Sequence, residues 1–169
     1  NVSDRKSYAD TPTLLRVRSV RALKYALELV DQVCLDNGAV PTDNPSVVVE
    51  EHTYRPVPLQ TMLENGWIRE VKRGEVTDDG NDITLDGVRY HKTFHAKIRL
   101  APAETKQNFV SVANMLLGYD RVKMRESNRF ATFNRGRTNL ARINVVGKTL
   151  YVYFALDPEA VDAKYHVRN

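Results

Sequence analysis

"FATFNRGRTNLARINVVGKTLYVYFALDP", residues 130–158, decides the fold class. Leu150, Val152, Phe154 and Leu156 alternate with Tyr151 and Tyr153, and alternation with period two marks a strand with two different faces. Gly136 and Gly147 punctuate the stretch, and glycine supplies the positive backbone angle that a tight hairpin needs. The reading is a run of antiparallel strands over residues 122–125, 129–133, 139–145 and 149–156, with turns at 134–136 and 146–147.

The chain before this stretch reads as further strands and helices. In residues 88–100, Val88, Tyr90, Phe94, Ala96, Ile98 and Leu100 alternate with Arg89, His91, Thr93, His95, Lys97 and Arg99, which predicts one long strand. Pro102 then opens a helix in which Phe109, Val112 and Leu116 share a face, and Gly118 ends it. Near the start, residues 14–18 read as a short strand and Ser19 as the N-cap of a helix that stops at Gly38. Val20, Leu23, Leu27, Val30 and Cys34 recur at three and four and are expected to be buried, opposite Arg21, Lys24, Glu28 and Asp31. Between these regions, prolines 41, 45 and 56 surround an expected short strand at 47–49. Pro58 opens a short helix through Met62 and Leu63 that Gly66 closes, with Trp67 and Ile68 docking its end. The acidic run 74–87, with Asp78, Asp79, Asp82 and Asp86, reads as an exposed hairpin or a linker.

The expected product is an α+β fold, an antiparallel sheet with helices packed mainly on one face. Its organisation is read as 1–73, a strand-helix and short helical subregion; 74–87, the acidic segment; and 88–169, an α+β core module.

A chain of 169 residues with 42% apolar side chains can bury a real core, and its apolar runs are far too short for a membrane helix. The first residues lack an apolar stretch behind a basic start, so no signal peptide is expected, and the chain reads as cut from something longer. Its one cysteine, Cys34, lies in an apolar helical stripe and is expected to be a buried thiol, which fits a reducing, cytoplasmic compartment, with a cysteine-poor extracellular protein as the alternative. The net charge of +4 does not by itself imply nucleic acid.

Charge distribution says more. Residues 121–148 hold eight basic side chains against one acid, Glu126. Lys123, Arg125, Arg135, Arg137 and Arg142 form a candidate polyanion or interaction surface, with Tyr151 and Tyr153 as a stacking platform. The competing reading is a wet sheet face whose long basic side chains guard exposed strands, with the tyrosines in a second packed layer. His91 and His95 have the spacing of a zinc helix, but on a strand that spacing separates them by about 13 Å, so no metal site is expected. Residues 78–82 share only composition with a calcium loop. No phosphate loop, nucleophile setting or carboxylate pair stands out. Neither a cofactor nor a catalytic role is expected.

Residues 92–125, "KTFHAKIRLAPAETKQNFVSVANMLLGYDRVKMR", the stretch quoted above, and "AKYHV" at 163–167 together resemble a module of large, uncharacterised proteins of Gram-positive bacteria. The family pattern is SFxAKL, a helix ending near LLSY, VKSR, FNxGRxxLAKLxxxGKTLxLYLALDP and KYxVxD, and the resemblance spans residues 92–167. It implies no activity. In that family KYxVxD continues into a linker, a basic strand and a helix, which here resemble residues 1–33 at the other end of the chain. The resemblance therefore implies either one unit of a tandem array, completed by its neighbour's strand and helix, or a strand-helix that folds back as a permutation. Asn128 and Thr132 depart from the pattern, where larger or aromatic residues are expected.

The function expected from these observations is a noncatalytic structural or interaction module, a repeat unit of a scaffold or filament. Its partners would be copies of itself or adjacent repeats, joined by strand or helix exchange through Leu15, Val17, Val20, Leu23, Leu27 and Val30 and by charge complementarity. The alternative is sequence-independent nucleic-acid binding through the basic hairpin.

Overall fold

The computed structural model describes residues 8–45, 47–75 and 82–168. They form an α+β fold with two antiparallel sheets. Strand β1 (Thr13–Val17) leads into helix α1 (Val20–Asp36), and a 3-10 turn (Glu51–Tyr54) precedes α2 (Leu59–Glu64). Strands β2 (Ile68–Glu70), β3 (Asp82–Leu85) and β4 (Val88–Lys92) make the smaller sheet, in the order β2-β4-β3. Helices α3 (Phe94–Leu100) and α4 (Ala103–Leu117) follow. Strands β5 (Val122–Glu126), β6 (Ala131–Arg135), β7 (Thr138–Val146) and β8 (Thr149–Phe154) then join β1 in a five-stranded sheet ordered β1-β8-β7-β6-β5.

The quoted stretch behaves as its alternation requires. Leu150, Val152 and Phe154 are fully buried and join Ala131, Phe133, Ala141, Ile143 and Val145 on the inner face. Two-residue turns, Gly136-Arg137 and Gly147-Lys148, connect the strands one position later than the sequence pattern suggests. Each turn has glycine first with positive φ, +63° and +61°, the geometry that matches the right-handed twist of a hairpin. Helices α1 and α4 cover the inner face through Ala26, Leu29, Val30 and Val33 and through Phe109, Val112, Ala113 and Leu116.

Residues 13–36 fold back on their own chain. β1 pairs with β8, setting Leu15 opposite Val152 and Val17 opposite Leu150. Helix α1 is capped by Ser19, whose hydroxyl accepts from Ala22 N–H at 3.1 Å. Its buried stripe is rotated from the expected one. Val20 is 83% exposed and Leu23 and Leu27 are half-buried, while Ala26, Leu29, Val30, Val33 and Cys34 form the core contact. Both stripes satisfy helical spacing, and the sheet selects the one that its small Ala26 allows to approach closely. Of the face expected in solvent, Arg21 and Lys24 are exposed, but Asp31 accepts a hydrogen bond from the Tyr119 hydroxyl.

Two predicted strands are replaced. Residues 88–100 form a strand and then a helix. Thr93 breaks the run by donating its hydroxyl to Trp67 O at 2.6 Å while capping α3 at Ala96 N–H. Phe94 and Ile98, four residues apart, then share a buried helical face, a spacing that alternation also produces. The 47–49 strand does not form. The side chain of Asn114 on α4 instead satisfies Val49, accepting from its N–H at 2.7 Å and donating to its carbonyl at 2.8 Å. That pair of bonds does for one residue what a neighbouring strand would do.

In the acidic segment, Asp86 and Gly87 both have positive φ in the two-residue turn joining β3 to β4. Asp78 and Asp79 lie outside the described residues. Among the described residues no helix is long and apolar enough to cross a membrane.

Candidate interaction surfaces

The outer face of the five-stranded sheet carries Lys123, Arg125, Arg142, Tyr151 and Tyr153, because each sits one position away from an inward-facing residue on its strand, whereas Arg135 pairs with buried Val122 and Arg137 lies in the β6–β7 turn. Cross-strand register places Arg16 opposite Tyr151, Leu14 opposite Tyr153, and Arg142 opposite both Tyr153 and Thr132. Residues 8–12 lie across this face. Tyr8 stacks on Tyr153 with ring centroids 3.7 Å apart and planes 9° from parallel, and it also meets Phe130 at 5.4 Å. Asp10 pairs with Arg142 and accepts a hydrogen bond from Asn139. Burial opposes ionisation of Asp10, but the bonds from Arg142 and Asn139 prevail and hold its carboxyl below the usual aspartate value. Thr132, small where the resembled pattern is large, is 4% exposed beside these groups.

The seven candidate surface residues therefore separate. Arg142 is committed to Asp10, with its guanidinium 5.2 Å from the Phe130 ring centroid, and Tyr153 is committed to Tyr8. Arg135 is a staple inside the fold. It donates to Asp120 O and Asn37 O, each at 3.2 Å, and to the Asp120 carboxylate at 3.1 Å. It thereby ties the end of α1 to the turn after α4. Asp120 also accepts from Val40 N–H at 2.8 Å, and that bond, followed by Arg135, keeps its carboxyl below the usual range. Tyr151 is half-buried beneath Arg16, at 5.2 Å. Lys123, Arg125 and Arg137 remain exposed, the first two on edge strand β5.

Of the segment expected to mediate assembly, Leu15, Val17 and Val30 are core residues, Leu23 and Leu27 pack at its margin, and Val20 stands in solvent. The acidic hairpin uses Asp82 internally, against Arg89 at 3.3 Å and His91 at 3.0 Å.

A second polar cluster, not foreseen from spacing, joins the two sheets. His95 on α3 has its Nδ1 2.8 Å from the Glu126 carboxylate, and its Nε2 accepts from Arg99 Nε at 2.8 Å. Because the arginine nitrogen can only donate, the imidazole proton sits on Nδ1 and is donated to Glu126. Tyr54 donates to the other Glu126 oxygen at 3.2 Å, and the Arg99 guanidinium lies 4.2 Å from the Trp67 ring centroid. Burial, and then the Glu126 charge, push the Tyr54 phenol up and keep it protonated. Both imidazole nitrogens are engaged by the protein, so the cluster acts as a clamp between β5, α3 and the β2 end. His91 turns to Asp82 and His95 to Glu126, so the two histidines address different elements. Cys34 sits wholly inside the core, where burial, and then nearby Asp31, push its thiol up to about 12.

Comparison with protein-family models, with curated proteins and with solved structures found no match to this chain.

Proposed function

We propose that this chain is a noncatalytic interaction module that assembles with copies of itself or with adjacent units by exchanging its first strand and helix. One observation carries the reading: β1 and α1 form a contiguous unit that supplies Leu15, Val17, Ala26, Leu29, Val30 and Val33 to the core. Residues 37–58 lead from that unit to α2, and the unit can dock on its own sheet or on a neighbour's with the same contacts. Exchange of an element in this way is a low-cost route to oligomers, because no new interface chemistry has to be built. In a scaffold or filament, exposed Lys123, Arg125 and Arg137 would add attraction to an acidic neighbour, with Asp86 exposed at the β3–β4 turn.

The test uses the direct pairing of Arg16 with Tyr151. Two differently tagged chains, one carrying Arg16→Cys and the other Tyr151→Cys, are co-expressed and oxidised. Disulfide-linked heterodimers are expected. If the double variant cross-links within one chain while the single variants never link to each other, exchange is ruled out.

A second reading, nucleic-acid binding, draws on the exposure of Lys123, Arg125 and Arg137 at one end of the sheet. It predicts salt-steep, sequence-independent affinity. Charge reversal at these three positions should abolish retention on generic duplex DNA at low salt, and unchanged retention would remove the reading.

A further inference from the structure

At the free edge of β1 the chain forms a hollow of about 300 Å³ whose walls come from segments far apart in sequence. Residues 165–168 cross there, and Arg168 bridges to Leu14 through N–H···O bonds of 2.7 and 2.9 Å. Four arginines line the hollow: Arg16 from β1, Arg18 from the β1–α1 junction, Arg21 from the first turn of α1, and Arg168. Tyr25 and Tyr165, packed edge to face with centroids 5.1 Å apart, make an aromatic wall.

Elsewhere in the fold Arg69, Arg89, Arg135 and Arg142 each meet a carboxylate of their own chain. Among the described residues no carboxylate pairs with any of the four arginines of the hollow. Like charges gathered in one concavity repel one another, and a multiply charged anion placed among them removes that cost. The chemistry of the set is specific as well. Guanidinium forks bind phosphate oxygens two at a time, which ammonium groups cannot do. The positive end of α1 opens at the same rim and adds to the field. The volume falls at the lower end of small-molecule sites, and the tyrosine wall offers contact to a flat organic group.

We propose that this hollow is a binding site for a small organic phosphate of the nucleotide class, the phosphates held by Arg18, Arg21 and Arg168 and the organic part set against Tyr25 and Tyr165. The site is independent of the exchange reading, since the same side chains meet whichever chain supplies β1 and α1.

ADP, inorganic phosphate and adenosine are titrated into the intact chain at low ionic strength and followed by calorimetry and amide chemical shifts. ADP is expected to bind more tightly than either fragment, with affinity falling as salt rises and shifts centred on residues 14–25 and 165–168. Arg18→Glu and Arg21→Glu alter exposed side chains, so the fold should persist, and each should weaken ADP by at least about tenfold, the usual scale for a hydrogen bond to a charged group. Lys123→Glu, on the opposite sheet edge, should leave binding unchanged. The assignment is overturned if ADP fails to bind, if the two arginine variants bind it like the parent, or if Lys123→Glu weakens it equally. Inorganic phosphate binding as tightly as ADP would overturn the nucleotide class.

Discussion

Arg142 shows how one side chain can be read two ways from sequence. In a basic run it resembles a polyanion ligand, yet it is 12% exposed and paired with Asp10. The pair has a definite pH behaviour. Because folding lowers the Asp10 carboxyl below the ordinary 3.8, its contribution is fully present above that value and is lost as pH falls through the folded one. Acidification should therefore loosen residues 8–12 before the core melts, visible as loss of the Tyr8–Tyr153 ring-current shifts. Asp10→Asn should abolish the acid dependence at a cost of about 1 kcal/mol or less, since Asp10 is half exposed and water screens the pair. Cys34 gives a second residue-scale prediction. Its raised thiol and complete burial should make it inert to thiol reagents in the native state and reactive only as the core opens. Native labelling at the rate of a free cysteine would refute this.

Elements are held by side chains that replace missing backbone partners. Asn114 stands in for a strand at Val49, so Asn114→Ala should leave two backbone groups unsatisfied and cost about 2 kcal/mol. Urea denaturation with an unchanged slope would measure it. Thr93 both caps α3 and holds Trp67 O, and its replacement by Val should cost about 1 kcal/mol and loosen the join between the two sheets. The alternation at 88–100 concealed this boundary. Phe94 and Ile98 fit either period, and what selects the helix is a hydrogen bond from Thr93 to Trp67, just ahead of β2 and more than twenty residues earlier. The Glu126–His95–Arg99 clamp escaped the sequence for the same reason: its members are remote in the chain, and only the His95–Arg99 spacing hinted at a helix.

For the whole molecule, the central question is how firmly the β1–α1 unit belongs to its own chain. Its residues fill the inner face opposite Val152 and Leu150. Deleting residues 1–37 should leave that face open and give an unfolded or aggregated product. Adding residues 1–37 as a separate peptide should restore a folded complex. A stable monomer after deletion, with native circular dichroism and melting, would end the assembly proposal. Recovery of the fold only when the peptide is added would show that the unit transfers.

The sequence by itself determined the α+β class, the β5–β8 meander, the capped start of α1 and the buried cysteine. These depend on local rules: alternation of apolar residues, glycine at hairpin turns, and a serine ahead of a periodic helix. Tertiary structure decided which stripe of α1 is buried, where the 88–100 strand gives way to a helix, and which arginines are free. Each of those choices is made by a partner distant in sequence. Asp10 reaches Arg142, Asp120 reaches Arg135, and Arg16, Arg18, Arg21 and Arg168 line one hollow with no ion-paired carboxylate among the described residues. The sign of a side chain is written in the sequence, whereas its neutralisation depends on distances that only the folded chain sets.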